Sequence, residues 1–306
     1  MTTLRAIAVP SLRSPDEVLT HLRTFGRRYG SALARSLDRP GWRFLLIIPG
    51  SIWVTFSYRA PCLVYWNRGN WVHHYAGARI PHASLGRAAP PSVFTSEARD
   101  IFLHEYTPRA GDVVFDVGAG IGAETLLFSR LVGRSGRVVS LEAHPRTYAR
   151  LSSLCEANHL TNVTPLQVAA SDNDGGVVIS DSAEHLRNTL LDGRRDGGVE
   201  VPGRRLDSLA SELGITRIDL LKLNIEGAER LAIEGLDGII GATRHVCISC
   251  HDFLADVGAS EDMRTKALVR EYLLDHGFQI MTRDESAKPW IRDYVYGVSP
   301  NAGSDR

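Results

Sequence analysis

The chain has 306 residues, 43% hydrophobic and 23% charged, with 35 basic and 35 acidic groups. These values suit one large or two smaller folded domains and exclude a disordered chain, a collagen-like repeat or a long coiled coil. Four cysteines, at positions 62, 155, 247 and 250, are too few for a disulfide-stapled scaffold and point to a reducing compartment, with the cytoplasm as the expected location. The N-terminus lacks a signal-peptide core. No apolar run reaches the ~18 residues of a membrane span; the nearest, 44–56, is interrupted by Pro49-Gly50.

The balanced charge is unevenly spread. Residues 1–90 carry 12 arginines against Asp16, Glu17 and Asp38, a net +9, which leaves −9 for the remainder. Trp42, Trp53, Trp66 and Trp71 lie in the same stretch. A basic, aromatic-rich segment can face an anionic ligand, a sugar or a membrane surface, or can fill a small core of its own with the arginines solvated. Ser14-Pro15-Asp16-Glu17 forms a capping-box pattern with proline at the first helical position, and the apolar spacing that follows predicts a basic amphipathic helix over 15–37. That helix is a candidate for peripheral membrane contact. Strands are expected over 42–48 and 52–58, then a hairpin, Cys62 to Trp66 and Trp71 to Tyr75, around Asn67-Arg68-Gly69-Asn70. The Pro/Ala-rich stretch 87–91 predicts a boundary before a helix at about 95–105. Residues 1–93 therefore read as a helix and β-rich cap expected to touch substrate, and 94–306 as the main domain.

From Gly111 onward strands and helices alternate, which predicts an α/β domain with a parallel sheet covered on both faces. Strands are expected at about 112–117, 137–142, 163–169, 218–224, 244–250, 277–282 and 292–298, and helices at about 122–132, 145–158, 226–235 and 261–276. The segment 175–205 interrupts the alternation with short strand-like pieces around a polar loop.

Val113 to Gly122 is an apolar strand, an acid, and a glycine turn that opens a helix. Glycines at 118 and 120 permit close approach of a ligand, and the helix start offers free N–H groups. The spacing also fits the dinucleotide pattern G-x-G-x-x-A. Asp116 discriminates: a carboxylate there suits the ammonium of S-adenosylmethionine better than a pyrophosphate, which it would repel. Glu142, at the tip of the next strand and 24 residues beyond Gly118, is placed to accept both hydroxyls of an adenosine ribose.

These residues, with Leu221-Lys222-Leu223-Asn224-Ile225-Glu226-Gly227-Ala228-Glu229, resemble the FkbM-type family of class I S-adenosylmethionine-dependent methyltransferases, with a Rossmann-like seven-stranded sheet. The likeness spans about 94–298 and includes Ala169-Ala170-Ser171-Asp172 and Arg205-Leu206-Asp207-Ser208-Leu209. It implies O-methylation of a hydroxyl on a sugar, polyketide or other small product, with Ala170 and Asn224 joining Asp116, Gly118, Gly120 and Glu142 at the cofactor. The family commonly has Asn at the position of Gly120 and Asp at that of Asn224; a neutral Asn224 cannot act as a base or as a strong ligand of a hard cation.

Methyl transfer to oxygen needs positioning of the hydroxyl and removal of its proton. His251, just past an expected strand, is the candidate base, with Asp252 to orient it and Glu226 beside them. An alternative is a divalent cation, Mg²⁺ or Mn²⁺, held by Asn224, Glu226, His251 and Asp252. Cys247 to His251 matches the C-x-x-C-H haem-attachment pattern, but a strand would send Cys247 and Cys250 to opposite faces. A nicotinamide-dependent oxidoreductase using the same glycine loop and Glu142, and a non-catalytic S-adenosylmethionine-binding protein, are the competing readings. A small-molecule acceptor is the expected partner, and nucleic acid is not.

Overall fold

The computed structural model describes residues 34, 36–86, 88–180 and 198–303. Seven strands form the main sheet: β4 (Val113–Val117), β5 (Arg137–Leu141), β6 (Val163–Leu166), β10 (Ile218–Leu223), β11 (Thr243–Ser249), β12 (Gln279–Thr282) and β13 (Tyr294–Val298). Their spatial order is β12-β13-β11-β10-β4-β5-β6. The pairs from β11 through β6 are parallel, whereas β13 runs antiparallel to both β11 and β12. The expected all-parallel sheet is thus corrected to a mixed one. β13 follows β12 and a short helix, Pro289–Arg292, a link too short for a right-handed parallel crossover, so the chain returns antiparallel between β12 and β11.

The central strands read as apolar runs because helices cover both faces. Side chains alternate: Phe115, Val117, Leu221, Leu223 and Ile248 enter one core with Leu206, Leu209, Ala232, Val269 and Leu273. Val114, Val138, Leu220, Cys247 and Tyr296 enter the other with Ala98, Phe102, Phe128 and Val132. Cys250 joins the first core and Cys247 the second, and all four cysteines are free and buried. A haem-attachment pair is not formed.

The segment expected as two strands, 42–48 and 52–58, is instead a 3-10 turn, Arg43–Leu46, and helix α1, Ile47–Tyr58. Its β-branched and aromatic content favours strands locally, but burial recurs every four residues at Leu46, Gly50 and Val54, the period of a helix against a flat surface. The tertiary partner is the sheet that follows: Ser51 Oγ donates to the Ile47 carbonyl at 2.6 Å and accepts from the Val64 amide at 2.8 Å, while Thr55 Oγ1 accepts from the Cys62 amide at 3.0 Å. Pro49 lies in the first turn, where its missing N–H costs nothing.

The expected hairpin forms as β1 (Cys62–Asn67) and β2 (Asn70–Tyr75), and a third strand the sequence reading missed, β3 (Ala78–His82), extends it. This sheet shares a core with Leu126 and Leu154, on helices Ala123–Val132 and Pro145–Ala157 of the main domain. Arg79 and Asn158 exchange backbone and side-chain hydrogen bonds across the join. Trp71 is fully buried with Nε1 donating to Asp38, and the Arg43 guanidinium sits 3.5 Å over the Trp66 ring; Trp42 and Trp53 remain exposed. The expected helix over 15–37 lies, apart from its last residues, outside the described ones. The strand-like pieces near 175–205 form β8 (Gly175–Ile179) and β9 (Val199–Arg204) beside a short β7 (Ala169–Ala170).

Candidate active site

At the carboxyl edge of the sheet the ends of β4, β5 and β10 open into a cleft. Gly118, Gly120, Glu142, Ala170, Asn224 and Glu226 line it, with Leu141, Val168 and Ile179 as apolar wall. Of the nine sequence-predicted site residues, these six come together.

Two glycines shape the floor. Gly118 has φ +72°, and a Cβ there would collide with the backbone carbonyl of Asn224, so β4 and β10 can approach only around a glycine. Gly120 has φ +57°, and a Cβ there would meet nothing within 4 Å, because that side faces the open cleft. The loop is also held from below. Asp116 is fully buried; its Oδ1 accepts from Lys222 Nζ at 2.9 Å and its Oδ2 from Thr125 Oγ1 at 2.6 Å. Lys222 donates again to the Gly118 carbonyl at 2.8 Å. The expectation that Asp116 meets the cofactor ammonium is therefore corrected: the carboxylate is turned under the loop and acts through Lys222. Lys222 stood in the quoted motif, but an apolar strand gave no sign that its charge would be buried.

Glu142 is where the sequence placed it. Its Oε2 accepts from the Gly120 amide at 3.0 Å and its Oε1 from the His144 amide at 2.9 Å. Each oxygen keeps a further lone pair, so the carboxylate can still receive two hydroxyls. Burial, only partly offset by these amides, pushes its pKa up to about 7. Between the unfolded value near 4.5 and about 7 the folded chain holds a proton that the unfolded chain releases, so this group's contribution to stability falls as pH rises through that window. Ribose hydroxyls donate best to the ionised form. Affinity for S-adenosylmethionine should rise with pH to about 7 and level off; Glu142→Gln should remove that dependence and weaken binding about tenfold or more. Calorimetric titration on both sides of pH 7 reads both effects, and an unchanged pH dependence in the variant would exclude this role.

His251 follows β11 and is buried, with Nδ1 3.0 Å from Glu229 Oε1. Glu229 is fully buried; its Oε1 also accepts from the Gly227 amide and its Oε2 from Thr265 Oγ1. Burial opposes a charged ring, but the hydrogen bond and charge of Glu229, with Glu226 and Asp293, leave the His251 pKa above its ordinary value. His251 does not line the cleft; Glu226, whose charge acts on it, does. Asp252 does not orient His251, which corrects that expectation. Its Oδ1 caps helix Lys266–Asp275 by accepting from the Thr265 and Lys266 amides. The orienting group is Glu229, last residue of the motif, and the i, i+3 spacing from Glu226 was the signal that could have found it. Glu226 itself holds a left-handed φ of +52°, which is unusual outside glycine and typical of functional turns.

The cation alternative fails on the same geometry. Asp252 is committed to the amides of Thr265 and Lys266, and among the described residues no group of three His, Cys, Asp or Glu is placed to hold a metal.

A glycine loop under a carboxylate-tipped second strand, on a seven-stranded sheet with an antiparallel β13, defines a class I S-adenosylmethionine-dependent methyltransferase domain. The glycines, Glu142 and the apolar wall fit that cofactor: backbone for close approach, an acceptor for the ribose hydroxyls and a slot for the purine. Residues 116–280 match the model of the methyltransferase FkbM domain, and the chain belongs to that family. The oxidoreductase reading is set aside by this membership. The chain is 29% identical over 243 residues to the 31-O-demethyl-FK506 methyltransferase FkbM of Streptomyces tacrolimicus, covering 68% of this chain and 88% of that protein. It is 29% identical over 153 residues to the 2-O-methyltransferase NoeI of Sinorhizobium fredii, covering 44% and 61%. Against the AMB antimetabolite synthetase AmbE of Pseudomonas aeruginosa it is 27% identical over 228 residues, 74% of this chain but 10% of that protein.

Proposed function

We propose that the chain methylates a hydroxyl oxygen of a small molecule, a sugar, polyketide or other natural product, and that His251 takes up the proton. The observation that carries this reading is the His251–Glu229 pair just beyond the carboxyl end of β11, the edge at which open α/β sheets bind their ligands. A carboxylate on Nδ1 holds the ring in the tautomer whose Nε2 accepts a proton, and together with Glu226 stabilises the imidazolium that forms. S-adenosylmethionine supplies the electrophilic methyl group when bound. The chain's own residues supply the rest: Gly118, Gly120 and Glu142 position the donor, and Asn224 and Glu226 form the neighbouring wall. Two relatives bear O-methylation in their names, which supports oxygen as the acceptor atom.

The test is incubation with methyl-labelled S-adenosylmethionine and a panel of hydroxylated sugars and polyketides, each beside a copy with its hydroxyls blocked. A labelled methyl ether on the open acceptors alone is expected, with turnover unchanged by EDTA. A methyl found on nitrogen or carbon overturns oxygen as the acceptor, and cofactor binding without turnover on any acceptor favours the non-catalytic reading.

A further inference from the structure

Helix α1 has two unlike faces. Leu46, Gly50 and Val54 are buried in the core it shares with the small sheet. The outer surface of the helix and of the 3-10 turn before it carries Phe44, Leu45, Ile48, Ile52, Trp53 and Phe56, all exposed, with Ile48 at 71% and Phe56 at 79%. Isolated exposed apolar residues are ordinary, but this many on one short segment, with no charged residue between Phe44 and Phe56, mark a binding surface. Trp42 extends it at the amino end, exposed at 57%.

Charge selects the occupant. No Asp or Glu occurs between Asp38 and Glu97, while Arg39 and Arg59 stand exposed at the two ends of the stripe. A second copy packed on this face would bring Arg39 and Arg59 together, and the neighbouring carboxylate, Asp38, is already engaged by Arg43 and Trp71. Residues 1–33, themselves richer in arginine than in acids, offer no better complement. An anionic bilayer surface satisfies both features at once: apolar and aromatic side chains enter the acyl boundary, tryptophan rings sit at headgroup level, and arginines meet lipid phosphates. Among the described residues no helix is long and apolar enough to cross a membrane, so this is contact in the plane of the interface.

We propose that the exposed face of Phe44–Phe56, flanked by Arg39 and Arg59, docks the protein on anionic phospholipid. This site is separate from the 15–37 segment, and it stands independently of the acceptor chemistry. The sheet beneath α1 shares its core with the helix that follows the glycine loop, so a docked α1 ties the catalytic domain to the surface.

The experiment is flotation of the full chain with vesicles of phosphatidylcholine alone and of phosphatidylcholine mixed with phosphatidylglycerol. Binding to the mixed vesicles is expected, weaker on neutral ones and weakened by salt, with a blue shift of tryptophan emission. Ile48→Ser with Phe56→Ser should reduce binding about tenfold or more, and Arg39→Gln with Arg59→Gln should narrow the difference between the two vesicle types. S-adenosylmethionine affinity of each variant reports its folding, and Phe56→Ser alone serves if the double variant fails to fold. Absence of wild-type binding to mixed vesicles overturns the proposal, as does undiminished binding of the serine variants. A dimer that the serine substitutions dissociate, without vesicle binding, assigns the face to a second copy. Binding that appears only after removal of residues 1–33 assigns it to that segment.

Discussion

Asp116→Ala should destabilise the fold by about 3–5 kcal/mol, because it leaves the Lys222 ammonium buried without its counter-charge. Lys222 is 1% exposed and, among the described residues, has Asp116 and the carbonyls of Val117 and Gly118 as its hydrogen-bond acceptors. Thr125 also loses its bond to this carboxylate and keeps the Ser140 hydroxyl as partner. Thermal or urea denaturation reads the loss. Adding Lys222→Met to the first substitution should recover much of it, since an apolar side chain of similar length needs no partner. Affinity for S-adenosylmethionine should stay low in both variants, because the Lys222 bond to the Gly118 carbonyl, which fixes the glycine loop, is gone in the double variant and unanchored in the single one. Full recovery of both stability and affinity in the double variant would show that the pair does not position the loop.

His251→Ala should lower kcat by about 10²–10⁴, the usual worth of a positioned general base, with cofactor affinity little changed. In the wild type the rate should rise with pH through an ionisation above the ordinary histidine value, because burial is outweighed by Glu229 and the neighbouring carboxylates. Glu229→Gln keeps a hydrogen-bond acceptor but removes the charge, so that ionisation should move to lower pH. A purely structural role for Glu229 would lower the rate at every pH and leave the midpoint in place. Glu229→Gln also leaves Gly227 and Thr265 with a weaker partner, so the profile should be recorded at a temperature where the variant is folded.

The local pattern was sufficient for the main domain. Apolar runs such as Val113 to Val117 and Ile218 to Leu223 declare strands buried on both faces, and the glycine turn after Asp116 declares where a ligand approaches. Glu142 was legible for the same reason: a strand tip has one direction to point. The helix over 47–58 was not legible, because its β-branched and aromatic residues prefer strands until Ser51 and Thr55 find the amides of Val64 and Cys62. β13 was found as a strand but not as antiparallel, since the direction of a strand is a property of the connection and the space left beside β11, not of its own residues.

At the site, residue types were readable and orientations were not. The sequence by itself determined that carboxylates at 116, 142, 226 and 252, a histidine at 251 and two loop glycines stand at strand ends of an α/β sheet, because period and turn chemistry place them there. Only the tertiary structure decided that Asp116 turns under the loop to Lys222, that Asp252 caps a helix, and that Glu229 holds His251. The reason is physical: a carboxylate takes whichever buried donor packing brings within about 3 Å, and the deciding partners, Lys222 for Asp116 and His251 and Thr265 for Glu229, arrive on other segments of the chain.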